Sequence, residues 1–114
     1  MRKELKEKWL EALRSGKYKQ GRGDLRNVDD EFCCLGVLCD ISGQGEWGTK
    51  LMIQKAPYCY GQGDEWQHCA LPPFMKKFTN LPMNTEETLF NLNDKRGLSF
   101  HEIADWIEEN VEED

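Results

Sequence analysis

Residues 32–41 are apolar on almost every side, and this stretch constrains the fold more than any other part of the chain. Its hydrophobic periodicity alone does not separate a buried helix from a central strand. Asp29 and Asp30 shortly before it are suitable N-cap residues, and Gly43 shortly after it stands where a helix can stop. We therefore predict a buried central helix over residues 32–42, in which Gly36 would let another element pack closely.

The chain begins with a pattern of helical periodicity over residues 3–15. Leu5, Trp9 and Leu13 recur at the spacing of one helical face, and Lys and Glu occupy the opposite face. Gly16 follows where a left-handed residue commonly ends a helix. An amphipathic helix that flanks the buried central helix is therefore predicted here.

The last helix has the clearest start signal in the sequence. Ser99 and Glu102 have the spacing of a capping box, in which each side chain bonds to the backbone amide of the other residue. The helix is predicted to run to about Val111, with Trp106 on its inner face. Residues 112–114 are acidic, which opposes the helix dipole, so these last few residues are expected to fray.

The intervening residues carry weaker signals. Residues 42–70 are rich in glycine and aromatics and favour short strands or irregular packing. Leu71-Pro72-Pro73-Phe74 predicts the start of a short helix with proline at its first position, and Asn80 is predicted to end it. Residues 86–92 fit either a short strand or a helical turn. Because there is no internal repeat and no linker, we predict one compact, mainly helical α+β domain over residues 1–114, with a small sheet or an irregular aromatic-rich cover.

The charge of the chain is unevenly placed. The net charge is −6, but residues 1–26 carry +5 and the remaining 88 residues carry −11. A cationic patch beside an acidic body is the functional interpretation, and ordinary solubility is the alternative.

The sequence has neither an apolar run long enough for a bilayer nor a signal-peptide pattern. Its five cysteines are therefore expected to be reduced, which favours a cytoplasmic location.

Two stretches of the chain resemble a known family. The first is Tyr18-x-Gln20-Gly21-x-Gly23-x-Leu25 followed by Phe32-Cys33-Cys34-Leu35-Gly36-Val37-Leu38-Cys39-Asp40. The second is Leu92-Asn93-Asp94, two residues, Gly97, and then Ser99-Phe100-x-Glu102-Ile103-Ala104-Asp105. Together they are similar to a family of short, uncharacterised phage and bacterial proteins. The resemblance implies a phage or prophage origin, and it carries no catalytic residues that could be transferred.

Cysteine and histidine chemistry is the first candidate for function. The available groups are Cys33, Cys34, Cys39, Cys59, Cys69, His68 and His101. A structural zinc site usually needs two closely spaced pairs of cysteines, and this spacing lacks them. A catalytic thiol would need a histidine base, and the acidic residues beside Cys33 oppose thiolate formation. We therefore expect no metal, no cofactor and no catalytic residue, and the cysteines are interpreted as buried and structural.

A cluster of cations surrounds the turn at Gly21-x-Gly23. Lys and Arg could hold a phosphate there, the glycine backbone can approach it closely, and an aromatic ring could stack on a base. The isolated Gly-x-Gly lacks the other residues of a phosphate-binding loop or a dinucleotide fingerprint, so a plain basic turn is the alternative. The predicted ligand-binding residues are Tyr18, Lys19, Gln20, Arg22, Arg26 and Trp47.

These observations lead to three functional hypotheses. The first is a phage-type accessory binding protein in the cytoplasm of a bacterial host, which sequesters an anionic, nucleotide-like small molecule to counter host defence. The second is a protein–protein inhibitor of a host factor that uses the acidic C-terminal helix and aromatic loops. The third is a nucleotide-processing enzyme. The net charge disfavours a nucleic acid partner, the lack of a long apolar run disfavours a membrane, and a homo-oligomer is left open.

Overall fold

The computed structural model describes residues 1–48 and 57–114 of the chain. These residues form a mainly helical α+β domain, as the sequence predicts. In chain order the elements are α1 (Lys3–Arg14), β1 (Lys19–Gln20), β2 (Glu31–Phe32), α2 (Cys34–Ser42), β3 (Glu46–Gly48), β4 (Cys59–Gln62), β5 (Glu65–Gln67), α3 (Pro73–Thr79), α4 (Met83–Asp94) and α5 (Phe100–Asn110). The expectation for residues 42–70 extends over residues 49–56, which lie outside the described residues.

The buried central helix is confirmed as α2. Every residue from Cys34 to Cys39 is buried, and Gly43 ends the helix with a φ of 66°. The helix begins two residues later than predicted, because Phe32 belongs to β2 and pairs with β1. Its N-cap is Cys33 rather than an aspartate, and Cys33 makes no side-chain capping bond.

A close backbone approach explains the glycine inside α2. A Cβ atom on Gly36 would lie 1.8 Å from the carbonyl oxygen of Leu25, so no side chain fits there. Leu25 is fully buried, and its carbonyl oxygen also accepts a hydrogen bond from the Cys33 amide at 3.3 Å. Residues 21–25 are thereby held against the start of the central helix.

The helices α1 and α5 pack against each other, and α1 also packs against α2. Trp9 of α1 is fully buried, and its indole Nε1 donates to the Cys34 carbonyl oxygen at 2.9 Å. The predicted capping box at the start of α5 is present, with both reciprocal bonds of Ser99 and Glu102. Trp106 is only partly buried and lies at the edge of the core.

The two ends of the chain lie beside each other. The Asp114 amide donates to the Met1 carbonyl oxygen at 2.9 Å, and the Met1 amino group donates to the Glu112 carbonyl oxygen at 3.2 Å. Val111 is buried. These contacts involve the same terminal segment for which the acidic composition predicts fraying.

Two small sheets are present among the described residues. Strands β1 and β2 pair in parallel, with Lys19 opposite Glu31. Strands β3, β4 and β5 form an antiparallel sheet, in which Trp47 of β3 lies opposite Tyr60 of β4. Of the two alternatives predicted for the glycine- and aromatic-rich segment, a small sheet or an irregular cover, the described residues form the small sheet.

The region after the sheets is more helical than the sequence indicates. The short helix α3 ends at Asn80, whose φ of 54° is left-handed, as predicted. The segment at residues 86–92 is not a strand but the middle of α4, a helix of twelve residues. Leu89 and Leu92 give α4 a narrow buried face, and packing against α2 stabilises it. No helix in the described ranges is long and apolar enough to cross a membrane.

Candidate functional site

Three of the six predicted ligand-binding residues, Tyr18, Arg26 and Trp47, lie together beside α2. A row of five rings, here called the aromatic row, connects them with the start of α3. Consecutive ring centroids are 5.0, 5.8, 4.8 and 5.9 Å apart. The row consists of Tyr18, Phe32, Trp47, Tyr60 and Phe74. Edge-to-face and tilted contacts of this kind stabilise a fold, so the row supports one wall of the site.

Asp40 near the end of α2 accepts hydrogen bonds from both aromatic residues of the predicted site. The Tyr18 hydroxyl donates to Asp40 Oδ2 at 2.5 Å, and the Trp47 indole Nε1 donates to Asp40 Oδ1 at 2.9 Å. Burial raises the pKa of Tyr18, and the hydrogen bond to Asp40 raises it further. Tyr18 and Trp47 are therefore held in one orientation by a residue that the sequence analysis did not single out.

The charge of Arg26 already has a partner within the chain. Its Nε and Nη2 atoms donate to Asp30 Oδ1 at 2.9 and 2.6 Å. Its guanidinium carbon lies 4.1 Å from the centroid of the Tyr58 ring, and it also faces Phe32 and Trp47. Arg26 is thus close to the aromatic row, which contains the predicted ligand-binding residues Tyr18 and Trp47. The N–H donors of its guanidinium group, however, are bonded to Asp30.

Lys19 is exposed and pairs with Glu31 on the adjacent strand, with 3.3 Å between Nζ and Oε2. A hydrogen bond from Asn27 lowers the pKa of Glu31, and the bond from Lys19 lowers it further. An exposed pair of this kind contributes little to stability and leaves the ammonium in contact with water. Lys19 therefore remains an accessible cation, but it does not face the groove described below.

Gln20 and Arg22 contact the turn between α4 and α5. Gln20 Nε2 donates to Asn93 Oδ1 at 2.9 Å and to the Leu98 carbonyl oxygen at 2.8 Å. Asn93 is fully buried, and its Nδ2 donates to the Gly21 carbonyl oxygen at 2.8 Å. Arg22 lies over Gly97, where a Cβ atom would come within 2.7 Å of Nη2.

This polar network joins the two stretches that carry the family resemblance. Gln20 and Gly21 come from the first stretch, and Asn93 and Leu98 lie in or beside the second. Because every bond uses a buried or partly buried donor, loss of one partner would leave an unsatisfied polar group. The network gives these motif residues, Gln20 included, a structural role.

Of the six predicted residues, Tyr18 lines a described cavity. This cavity, the α1–α2 groove, has a volume of about 320 Å³ and lies between α1, the end of α2 and the segment that follows α1. It has two cationic side chains, one acidic side chain and an apolar floor. The lining residues are Lys8, Glu11, Ala12, Ser15, Lys17, Tyr18 and Ile41.

A second, smaller cavity adjoins the groove. Its volume is about 200 Å³, and it shares Lys8 and Ile41 with the α1–α2 groove. Arg2 also lines it and lies 5.0 Å from the centroid of the Phe78 ring. Arg2, Lys8 and Lys17 therefore line this side of α1, together with the acidic residues Glu4 and Glu11.

Apart from Tyr18, none of the residues that line the groove was predicted as a ligand-binding residue. Lys8, Glu11, Ala12 and Ser15 recur at intervals of three and four residues, so they occupy one face of α1. Ala12 and Ser15 are small, and small residues on a charged helix face leave room for a groove. That spacing is visible in the sequence. The sequence does not show that the end of α2 and the segment after α1 lie beside this face of α1.

Three of the five cysteines are in surroundings that disfavour the reactive thiolate form. Cys33, Cys34 and Cys39 are buried, and burial raises the pKa of Cys33 to about 12 and the pKa of the other two thiols well above the usual range. A thiol of such high pKa is a poor nucleophile. Within residues 1–48 and 57–114, no three potential ligands from His, Cys, Asp and Glu cluster closely enough to hold a metal ion.

Comparison with known proteins assigns the chain to a family without assigning an activity. Residues 1–111 match the family described as "Domain of unknown function (DUF8296)", and the chain belongs to that family. No curated protein and no solved structure matches the chain. The family membership thus agrees with the resemblance to uncharacterised proteins.

Proposed function

We propose that this protein binds a small, anionic, nucleotide-like molecule in the α1–α2 groove. The observation that carries the proposal is the pair of lysines, Lys8 and Lys17, that line one cavity together with the ring of Tyr18. Lysine ammonium groups attract phosphate as point charges, and an aromatic ring offers a base a surface for stacking. The apolar side chains of Ala12 and Ile41 supply the remaining contact area.

Four of the other cations in residues 1–26 already have partners, which supports this location. In the part of the chain that the structure describes, Lys6, Arg14, Lys19 and Arg26 each bond to an acidic side chain or a backbone carbonyl. Lys8 and Lys17 form no ion pair there. Since a phosphate must compete with any carboxylate already bound to a cation, these two lysines are better placed to receive it than Arg26 or Lys19.

The size of the groove limits the ligand. A volume of about 320 Å³ lies at the lower end of the range for small-molecule sites, which favours a single nucleotide or a similarly small phosphate ester. Glu11 at the rim repels a second highly charged group, so a ligand with one phosphate end and one planar end fits best. Stacking on Tyr18 would contribute about 1–3 kcal/mol to its binding.

The biological setting follows from the resemblance to short phage and bacterial proteins. In a phage-type accessory protein, binding without turnover would withdraw a nucleotide signal from host defence or host metabolism. The high pKa of the buried thiols supports binding rather than catalysis. We therefore place sequestration ahead of nucleotide processing.

The protein–protein alternative has less support from α5. Among its acidic residues, Asp105 and Glu108 accept hydrogen bonds from Arg14 at 2.8 and 3.4 Å, and Glu102 is part of the capping box. Three acids are thus engaged within the chain and are less available to a partner. A pull-down from bacterial lysate with the lysine double variant described below would still recover a stoichiometric partner if this alternative holds.

Isothermal titration calorimetry against linear and cyclic nucleotides at low salt tests the proposal. We expect one nucleotide to bind, and the double variant Lys8→Gln/Lys17→Gln to lose at least about tenfold in affinity through loss of two charged contacts. The double variant Lys19→Gln/Arg22→Gln removes the same charge from the loop and should retain binding. Chromatography of the bound nucleotide should show no turnover.

The two double variants also separate the groove from the loop that the sequence predicts. If the loop variant loses binding and the groove variant does not, the ligand lies at the glycine turn and the assignment to the groove is wrong. If no nucleotide produces heat or shifts the melting temperature, the proposed function is wrong.

A further inference from the structure

We infer that the ligand of this protein is a dinucleotide, whose first nucleotide occupies the α1–α2 groove and whose second base occupies the adjoining cavity. The inference rests on the proposed function and narrows its ligand class. The two cavities have volumes of about 320 and 200 Å³, and Lys8 and Ile41 line both of them. Because two residues belong to both linings, one elongated ligand can extend from the groove into the adjoining cavity.

Both cavities lie along the same face of α1. Leu5 lines the adjoining cavity, Ala12 and Ser15 line the groove, and Lys8 lies between them. These residues follow one another at intervals of three or four, so they share one side of the helix. At 1.5 Å per residue, the stretch from Leu5 to Ser15 is about 15 Å long. The groove by itself has room for one nucleotide, so the rest of this length is available to a second.

Each of the two cavities has a flat group in its wall. The ring of Tyr18 lines the groove. In the adjoining cavity, the Arg2 guanidinium carbon lies over the Phe78 ring, 5.0 Å from its centroid, and both side chains line the cavity. A guanidinium group held on an aromatic ring is a surface on which a nucleobase can stack. One stacking surface in each cavity fits a ligand that has two bases.

The charges around the two cavities favour a phosphodiester over a polyphosphate. Three cations, Arg2, Lys8 and Lys17, and two acids, Glu4 and Glu11, line the cavities together, which is a balance of +1. The phosphate that links two nucleosides carries one negative charge, whereas a nucleoside triphosphate carries several and would be repelled by both acids. Lys8 lines both cavities, so the linking phosphate is expected beside its ammonium group.

Isothermal titration calorimetry with dinucleoside monophosphates tests the inference. The probes are ApA, CpC, GpG and UpU, and each is compared with the methyl ester of the matching mononucleotide. The methyl ester has the same phosphodiester charge and only one base. We expect one dinucleotide to bind at least about tenfold more tightly than its methyl ester, because a second base stacks on the protein. Equal affinities for all four pairs would overturn the inference.

Variants of Arg2 test the adjoining cavity directly. Arg2→Gln should abolish the preference for the dinucleotide, and so should Arg2→Lys, which keeps the charge but lacks the guanidinium plane. Lys3→Gln is the matched control, because Lys3 is the neighbouring exposed cation and lines neither cavity. This control should preserve the preference. A preference that survives in either Arg2 variant would show that the second base does not stack in the adjoining cavity, and the inference would be wrong.

The same titrations separate this inference from the proposed function. If a mononucleotide binds and loses affinity in Lys8→Gln/Lys17→Gln, but no dinucleotide binds more tightly than its methyl ester, the inference is wrong and the proposed function stands. If neither mononucleotides nor dinucleotides bind, both are wrong. A dinucleotide that binds with the expected preference, and loses it in the Arg2 variants, supports both.

Discussion

Two lysines on α1, only two residues apart, have opposite environments. Lys6 is 7% exposed, and its Nζ donates to the Val111 carbonyl oxygen at 2.6 Å and to the Glu108 carbonyl oxygen at 3.1 Å. Lys8 is exposed and lines the α1–α2 groove. Because residues two apart point about 200° around a helix from each other, one lysine faces α5 and the other faces the groove.

The comparison shows that the charge balance of a segment does not measure the charge available to a ligand. Lys6 satisfies carbonyl groups at the C-terminal end of α5, where the helix dipole also favours a cation. Arg14, two turns further along α1, pairs with the acidic face of the same helix. Part of the +5 charge of residues 1–26 therefore holds the two ends of the chain together.

The largest effect is expected for the buried face of α1. Trp9→Ala should lower the free energy of unfolding by about 3–5 kcal/mol, because the ring is fully buried and its Nε1 bond to Cys34 is lost. Trp106→Ala on α5 should lower it less, because that ring is only partly buried. Urea denaturation followed by circular dichroism measures both values. Equal losses of unfolding free energy would contradict the difference in burial between the two rings.

The two lysines themselves provide the second prediction. Lys6→Met should cost about 2 kcal/mol of stability, because two carbonyl oxygens lose a charged donor. Lys8→Met removes the same charge from the same helix and should stay within about 0.5 kcal/mol of the wild type. Urea denaturation followed by circular dichroism measures the cost of each substitution. A similar cost for both substitutions would contradict the division of α1 into a structural face and an open face.

The third prediction compares the two ends of α5. Its N-terminal end is capped locally by Ser99, whereas its C-terminal end is capped by Lys6 from another helix. Ser99→Ala should cost about 1 kcal/mol, which is the usual value for loss of an N-cap. This is smaller than the cost of Lys6→Met, since the Lys6 bonds are charged and buried. Thermal unfolding of the two variants under identical conditions ranks them.

The smallest effect is expected for Arg14. Its pairs with Asp105 and Glu108 are largely exposed, at 2.8 and 3.4 Å, and such pairs contribute about 0.5 kcal/mol or less. Arg14→Gln should therefore change stability slightly at low salt and not measurably at high salt, where screening removes the attraction. A loss that persists at high salt would show that Arg14 stabilises the fold through packing rather than through charge.

The sequence predicted the elements whose signals are local. The amphipathic pattern around Trp9, the apolar stretch of α2 and the Ser99–Glu102 capping box each depend on residues within a few positions of one another, and all three are present. The helix α4 was underestimated because its buried face is narrow and its first turn contains Glu86, a residue that is seldom buried.

The candidate site was predicted less well than the fold. The sequence led to Tyr18, Trp47 and Arg26 as three of the six proposed ligand-binding residues, and the structure brings these three together around the aromatic row. It did not reveal that Asp30 occupies Arg26 or that Gln20 bonds to Asn93. Gln20 and Asn93 are 73 positions apart, so no spacing rule connects them. Asp30 is only four residues from Arg26, but the two lie in a loop rather than a helix, where that spacing does not predict a contact.

The order of residues alone decided which segments must be buried and where the main helices begin, because periodicity and capping act over one or two turns of helix. Only the packing of the helices decided what each charged side chain faces. Lys6 and Lys8, or Glu86 and Glu109, are chemically identical pairs in the sequence. Their environments differ because burial, carbonyl partners and cavities are properties of surfaces that meet from distant parts of the chain.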